Sequence, residues 1–217
     1  MNNHALFPAA AVAAAVLLAG CSTPDVPGST PGAAGSMSHH AEETSGGTAE
    51  NNSADTMFAQ MMIPHHEQAI TMSDIMLAKE GLDPRIAELA GKIKAAQGPE
   101  IQKMEDWLQD WNEPVAPMDG HSMMMDGMLS DEDLAALEQA QGTEAAKLFL
   151  TQMIAHHEGA VEMAEDEAAA GANAGAVELA EAIRAEQNAE IEQMRALLRD
   201  FYTPSSRESA PVRLEPP

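Results

Sequence analysis

Two segments, Met62-Ile63-Pro64-His65-His66-Glu67 and Met153-Ile154-Ala155-His156-His157-Glu158, repeat one pattern of thioether, paired imidazoles and carboxylate. Imidazole suits copper, zinc, iron and nickel, and thioether sulfur selects Cu(I). On a helix, adjacent residues diverge by about 100°. His65 therefore joins a stripe with Phe58, Met62, Ala69, Met72 and Met76, while His66 sits at its edge. Phe149, Met153, His156, Ala160 and Met163 repeat the stripe. Met62 and His66 are four apart and share a face, as do Met153 and His157. Met62, His65, His66, Met153, His156 and His157 are the candidate metal ligands. Glu67 and Glu158, about 200° round from the stripe histidines, are expected to be solvated or interhelical charges.

The elements that position these residues come in two copies. The first-helix match holds at an offset of 91, and Leu89-Ala90, Ile93, Gln97, Glu100-Ile101 and Met104 match Leu179-Ala180, Ile183, Gln187, Glu190-Ile191 and Met194 at an offset of 90. A one-residue deletion in a loop accounts for the change, and a match over most of two units marks an internal duplication. Each unit reads as two helices. Asp83-Pro84 supplies an N-cap and a first-turn proline for the second helix of the first unit. Gly98-Pro99 is expected to kink that helix, and Asn188-Ala189 should leave its counterpart straighter. Ser130-Asp131-Glu132-Asp133 opens a short helix ending near Gly142, and Thr143 is the expected cap of the next. Nowhere do β-branched and aromatic residues alternate as strands require. The expected fold is an all-α four-helix bundle of two duplicated hairpins.

Depth follows from hairpin arithmetic. The first hairpin turns near Leu82, so Gln97 and Glu100 come level with His65. The second turns near Ala172, which brings His156-His157 level with Gln187 to Glu190. The apolar stripes thus carry one polar layer. Burying these groups unpaired costs a few kcal/mol apiece. They must pair with each other, with water or with a metal. A structural hydrogen-bond layer and a metal site both meet this requirement. Gln97, Glu100, Met104, Gln187, Glu190 and Met194 are candidate ligands or supports of the ligands.

The chain has sixteen methionines. Met118, Met123, Met124, Met125 and Met128 cluster with His121 in a polar loop, a second candidate site for a soft ion. Helical methionines are commonly ordinary core filling. The Glu-x-x-His pattern of di-iron bundles is missing, because Met62 and Met153 stand three residues before the first histidine of each pair. No serine or free cysteine sits in a nucleophile elbow.

The flanks point to export. Ala9 to Ala19 is an apolar run too short to span a bilayer but suited to a signal peptide. Leu18-Ala19-Gly20-Cys21 reads as a lipobox, with Cys21 as the lipidated residue and a membrane anchor, although the first residues lack Lys or Arg. Cys21 is the only cysteine, so no disulfide forms within the chain. The expected organisation is a signal peptide over 1–20, a tether over 21–54 and a first hairpin over 55–112. A Met-rich loop and short helix over 113–142, a second hairpin over 143–203 and a tail over 204–217 complete it. The balance of 35 acidic and 11 basic residues gives −24. That charge disfavours nucleic acid and attracts cations.

These segments resemble the bacterial family called domain of unknown function 305. The resemblance rests on Met57 to Ile70, Gln97 to Met104 and Phe149 to Ala160, and spans both halves of the folded region. It implies an exported ferritin-like four-helix fold, in a family that includes periplasmic copper-binding members of the CopM type. Ala155 stands where the family usually has proline, a change of helix curvature more than of ligand supply. The function expected first is extracytoplasmic metal binding, copper favoured and zinc or iron as alternatives, for buffering, sequestration or resistance. A donor or acceptor protein for the metal would be its partner. An envelope interaction module with a structural His/Gln/Glu layer, and a ferritin-like metal-dependent oxidase, are the alternatives.

Overall fold

The computed structural model describes residues 50–116 and 125–203. Within them the chain forms α1 (Ser53–Leu77), α2 (Pro84–Asp110), α3 (Asp131–Gln139), α4 (Gly142–Ala170) and α5 (Ala174–Tyr202). Among the described residues no strand forms and no helix is long and apolar enough to cross a membrane. The leader, Cys21 and most of the tether lie outside the described residues.

Helix starts follow local chemistry. Asn52 and Asp55 form a capping box at α1, and Ser130 and Asp133 another at α3. Asp83 accepts from the Arg85 N–H at the start of α2, directly before Pro84. The cap expected at Thr143 is not formed. Helix α4 starts two residues earlier, with Gln141 at the N-cap position and no side-chain cap. The α2 helix continues through Gly98-Pro99, and α1 through Pro64. A proline removes one backbone donor, while packing on either side holds the remaining turns.

The four long helices make a bundle with two apolar clusters. Met72 and Met76 of α1, Ile86 and Leu89 of α2, Phe149 and Leu150 of α4, and Ile191 and Met194 of α5 build one. Phe58 and Met62, Ile101 and Met104, Ala160 and Ala164, and Leu179 and Ile183 build the other. Each long helix places buried polar residues between the two sets: His65 and His66 on α1, Gln97 on α2, His156 and His157 on α4, and Gln187 on α5. The duplication thus produces two equivalent half-cores with a polar layer at mid-height.

Antiparallel packing of α1 on α4 is fixed at one end by backbone recognition. The Asn52 amide donates to the Ala170 carbonyl at 2.8 Å. Asp55, fully buried, accepts from the N–H groups of Ala172 and Asn173 at 3.1 and 2.9 Å. Glu167 is also buried there. Burial first, then the hydrogen bond and charge of Asp55, push its carboxyl up to about 8. Burial acts upward on Asp55 too, but hydrogen bonds from Asn52, Glu167, Asn173 and Ala172 outweigh it and hold Asp55 below its ordinary value. Among the described residues the Glu167 oxygens make no hydrogen bond of regular geometry. Their proximity to Asp55 therefore acts through an oblique contact in which one carboxyl keeps its proton.

Candidate metal centre

All four histidines of the repeated segments are completely buried. His65 lies on the stripe, as its spacing requires. His66, expected at the stripe's edge, is equally buried, because that edge faces α2 within the hairpin. Its Nε2 meets Glu100 Oε2 at 2.8 Å, and His157 Nε2 meets Glu190 Oε2 at 2.7 Å. The two carboxylates are 17% and 13% exposed. Each therefore connects a buried imidazole to the solvent side of the bundle. Hairpin geometry brings these glutamates level with the histidine pairs, and the hydrogen bonds realise that level.

The stripe histidines are treated differently. The rings of His65 and His156 pack against each other with centroids 3.8 Å apart and planes tilted by 40°. Among the described residues none of their four nitrogens has a hydrogen-bond partner of regular geometry, and the Nδ1 atoms of His66 and His157 are also without one. Burial lowers His65 to about 3, with the charge of His66 adding to the effect. The Asp126 backbone carbonyl lies close enough to oppose the shift, but not in hydrogen-bonding geometry. Burial, then the charges of His65, His157 and His66, lower His156 well below its ordinary value. Both rings are consequently neutral at physiological pH, the form in which imidazole offers a lone pair to a metal.

Thioethers flank this layer from both sides. Met62 and Met104 belong to one apolar cluster, Met153 and Met194 to the other, and all four are fully buried. The two methionines of the candidate set, Met62 and Met153, thus belong to opposite half-cores. Among the described residues, no three His, Cys, Asp or Glu side chains converge as a ligand group. The donor set suits an ion content with few ligands, soft nitrogen and sulfur donors among them, better than an oxygen-rich cage. Glu67 is exposed, and Glu158 pairs at the surface with Arg195 at 2.7 Å, so neither joins the layer.

The methionine loop reaches the layer from the α1–α4 side. Met118, His121, Met123 and Met124 lie outside the described residues. Met125 is buried, and Met128 is half-buried. After Met125 the backbone lies directly on α4. A β-carbon at Gly127 would overlap the Ala155 carbonyl, and one at Gly159 would overlap the Asp126 carbonyl. Gln68 of α1 grips the same stretch with both ends of its amide. It donates to the Leu129 carbonyl at 2.9 Å and accepts from the Leu129 N–H at 2.7 Å. Gln68 and Gly159 are equivalent positions of the repeat. Their difference is the one sequence signal for this packing.

On the other side, a narrow pocket between α2 and α5 is lined by Gln97, Glu100, Glu186, Gln187 and Glu190 among others. Gln97 and Gln187 are buried, and their side-chain oxygens have no partner. Glu186 was not among the residues the sequence pointed to. It is exposed, and burial of part of its carboxyl, then the charges of Glu190 and Glu100, raise its pKa.

The model of the family described as domain of unknown function (DUF305) matches residues 55–198. The chain belongs to the DUF305 family. A crystal structure of a DUF305 protein from Streptomyces coelicolor, provisionally described as secreted, is 30% identical with a TM-score of 0.65, over 69% of this chain and 93% of that one. A DUF305 fragment from Deinococcus radiodurans is 31% identical with a TM-score of 0.61, over 68% and 97%. CopM in its Cu(I)-bound form is 32% identical with a TM-score of 0.59, over 69% and 98%. CopM structures with Cu(II) and with silver are similar to the chain as well. No curated protein matches the chain. The DUF305 bundle is thus shared with a protein that has been solved with copper and silver bound.

Proposed function

We propose that this DUF305 protein binds a soft or borderline metal ion in its histidine layer, copper ahead of zinc or iron, and buffers or sequesters it outside the cytoplasm. The observation that carries the reading is the His65–His156 pair, buried and in contact, with all four ring nitrogens lacking a partner of regular geometry among the described residues. A layer that only held helices together would satisfy these atoms, as Glu100 and Glu190 satisfy one nitrogen each of His66 and His157. A buried imidazole without a partner costs stability, and a bound cation offsets that cost. Few converging donors together with thioethers favour Cu(I), which accepts low coordination. CopM with bound Cu(I), Cu(II) and silver supports the same choice.

On this reading His65 and His156 are the first ligands of the ion, His66, His157, Met62 and Met153 are the candidates to complete its shell, and Glu100 and Glu190 orient the outer imidazoles. The cargo is held and released, with no turnover. The leader, lipidation at Cys21 and the acidic surface fit a membrane-anchored protein facing the periplasm or cell exterior, and the secreted description of the Streptomyces relative supports export. Titration of the mature protein with Cu(I), Cu(II) and Zn(II) against a competing chelator tests the proposal. His65→Leu/His156→Leu is expected to lose the tight site and keep the fold. Equal binding by wild type and variant refutes the centre. Deletion of Met118 to Met128 with unchanged Cu(I) stoichiometry would remove the loop as a second site.

A further inference from the structure

An ion in the layer needs a way in, since all four histidines are fully buried. On the α1–α4 side, the backbone from Asp126 to Leu129 lies on α4 at Gly159 and is held by Gln68. The pocket between α2 and α5 is different. Its walls carry Glu100 and Glu190, whose other function is to hold His66 and His157, and Glu186 stands exposed at its rim. No Lys or Arg pairs with these three carboxylates among the described residues; the ion pairs of Glu100 and Glu190 are with histidine alone. Gln97 and Gln187 line the pocket, and their side-chain oxygens are buried without partners among the described residues. Oxygens of this kind can replace water around a cation that has left solvent.

We infer that the α2–α5 pocket is the cation port of the bundle, with Glu186 drawing a metal cation to Glu100 and Glu190 for delivery to His66 and His157. The inference rests on the metal-binding reading. The port is not a store, because no three carboxylates or imidazoles converge there as a ligand group. Glu186 is an access-determining residue: the repeat places Ala96 opposite it, so the core ligands come in twofold pairs and this carboxylate does not. A charged cleft with apolar walls raises local counter-ion concentration and association rate, and salt screens the effect.

Rapid mixing of the metal-free mature protein with excess Ag(I), in chloride-free buffer of low ionic strength, gives the loading rate. Metal analysis after desalting gives the final stoichiometry. Glu186→Gln is expected to load roughly three- to tenfold more slowly with unchanged stoichiometry. Glu165→Gln makes the same charge change at an exposed position away from the pocket and should load like wild type. Ala96→Glu added to Glu186→Gln should restore the rate. Equal rates for the two single variants overturn the port, and a lower stoichiometry in Glu186→Gln overturns it by making Glu186 a ligand. If the wild type takes up neither Ag(I) nor Cu(II), the metal-binding reading fails and the port with it.

Discussion

Replacing His65 and His156 together by leucine is expected to make the metal-free protein more stable. Each ring buries two polar atoms without partners among the described residues, and an orphaned buried polar group costs about 1–3 kcal/mol. Leucine fills a similar space without that penalty. A gain of about 2–4 kcal/mol at pH 7 follows, discounted for imperfect packing of the new side chains.

The pH dependence makes this prediction sharper. In the unfolded chain each imidazole binds a proton below its ordinary value of 6.5, whereas the folded His65 stays neutral down to about 3. His156 is displaced in the same direction. The unfolded state therefore holds more protons in this window. Native stability is full above 6.5 and falls as the pH drops toward 3, by roughly 1.4 kcal/mol per pH unit per ring. The double variant removes that slope, so its advantage should widen from pH 7 to pH 5. Urea unfolding of chelator-treated mature protein, followed by far-ultraviolet circular dichroism at pH 7, 6 and 5, measures it. A variant less stable than wild type with unchanged m-value, or a pair of parallel pH profiles, would mean that the rings are satisfied in solution and that the argument from orphaned nitrogens is wrong.

Two further predictions concern the end of the α1–α4 packing and the loop that rests on α4. Glu167 is pushed up to about 8 from an ordinary 4.5, so the unfolded chain releases this proton first and stability is lost as pH rises through that interval. Glu167→Gln should flatten the alkaline decline seen in thermal melts between pH 5 and 9, and unchanged curvature would contradict it. Gly159→Ala sets two effects against each other. Alanine favours a helix by about 1 kcal/mol over glycine, but its β-carbon would overlap the Asp126 carbonyl. Net destabilisation by about 1–3 kcal/mol, with faster proteolysis near residues 125–129, is expected; net stabilisation would show that the loop does not rest on α4.

Much of this was legible because hairpins convert sequence distance into height. Counting from Leu82 and from Ala172 is enough to bring Glu100 to the first histidine pair and Glu190 to the second. The fourfold interruption of apolar stripes at that height is visible in sequence for the same reason. A helical wheel could not tell how deep His66 lies, since it describes one helix and the burial comes from α2. The close approach of Asp126 and Gly127 to α4 was hidden in a loop that has no period. Only the mismatch of Gln68 with Gly159 hinted at it. Glu186 was hidden by its exposure: it belongs to no stripe, and its meaning appears only opposite Ala96. Export and lipidation rest on residues outside the described structure and stay with the sequence argument.

The duplication itself explains why the centre of this bundle asks for a third party. Where two copies of one hairpin pack about a pseudo-twofold axis, a residue near the axis meets its own counterpart. Off the axis, His66 and His157 each reach a different residue type, a glutamate of their own hairpin. On the axis, His65 can only meet His156. Two neutral imidazoles packed at that distance cannot both charge, and neither can supply a carboxylate to the other. A polar or apolar substitution in one copy would have relieved the conflict cheaply. Two departures from the repeat lie instead at the surfaces of the layer, at Gly159 under the loop and at Glu186 beside the pocket. Symmetry is kept where two like donors face each other and broken where the layer is covered on one side and charged on the other, the distribution expected if the occupant of the layer is a cation that arrives from the charged side.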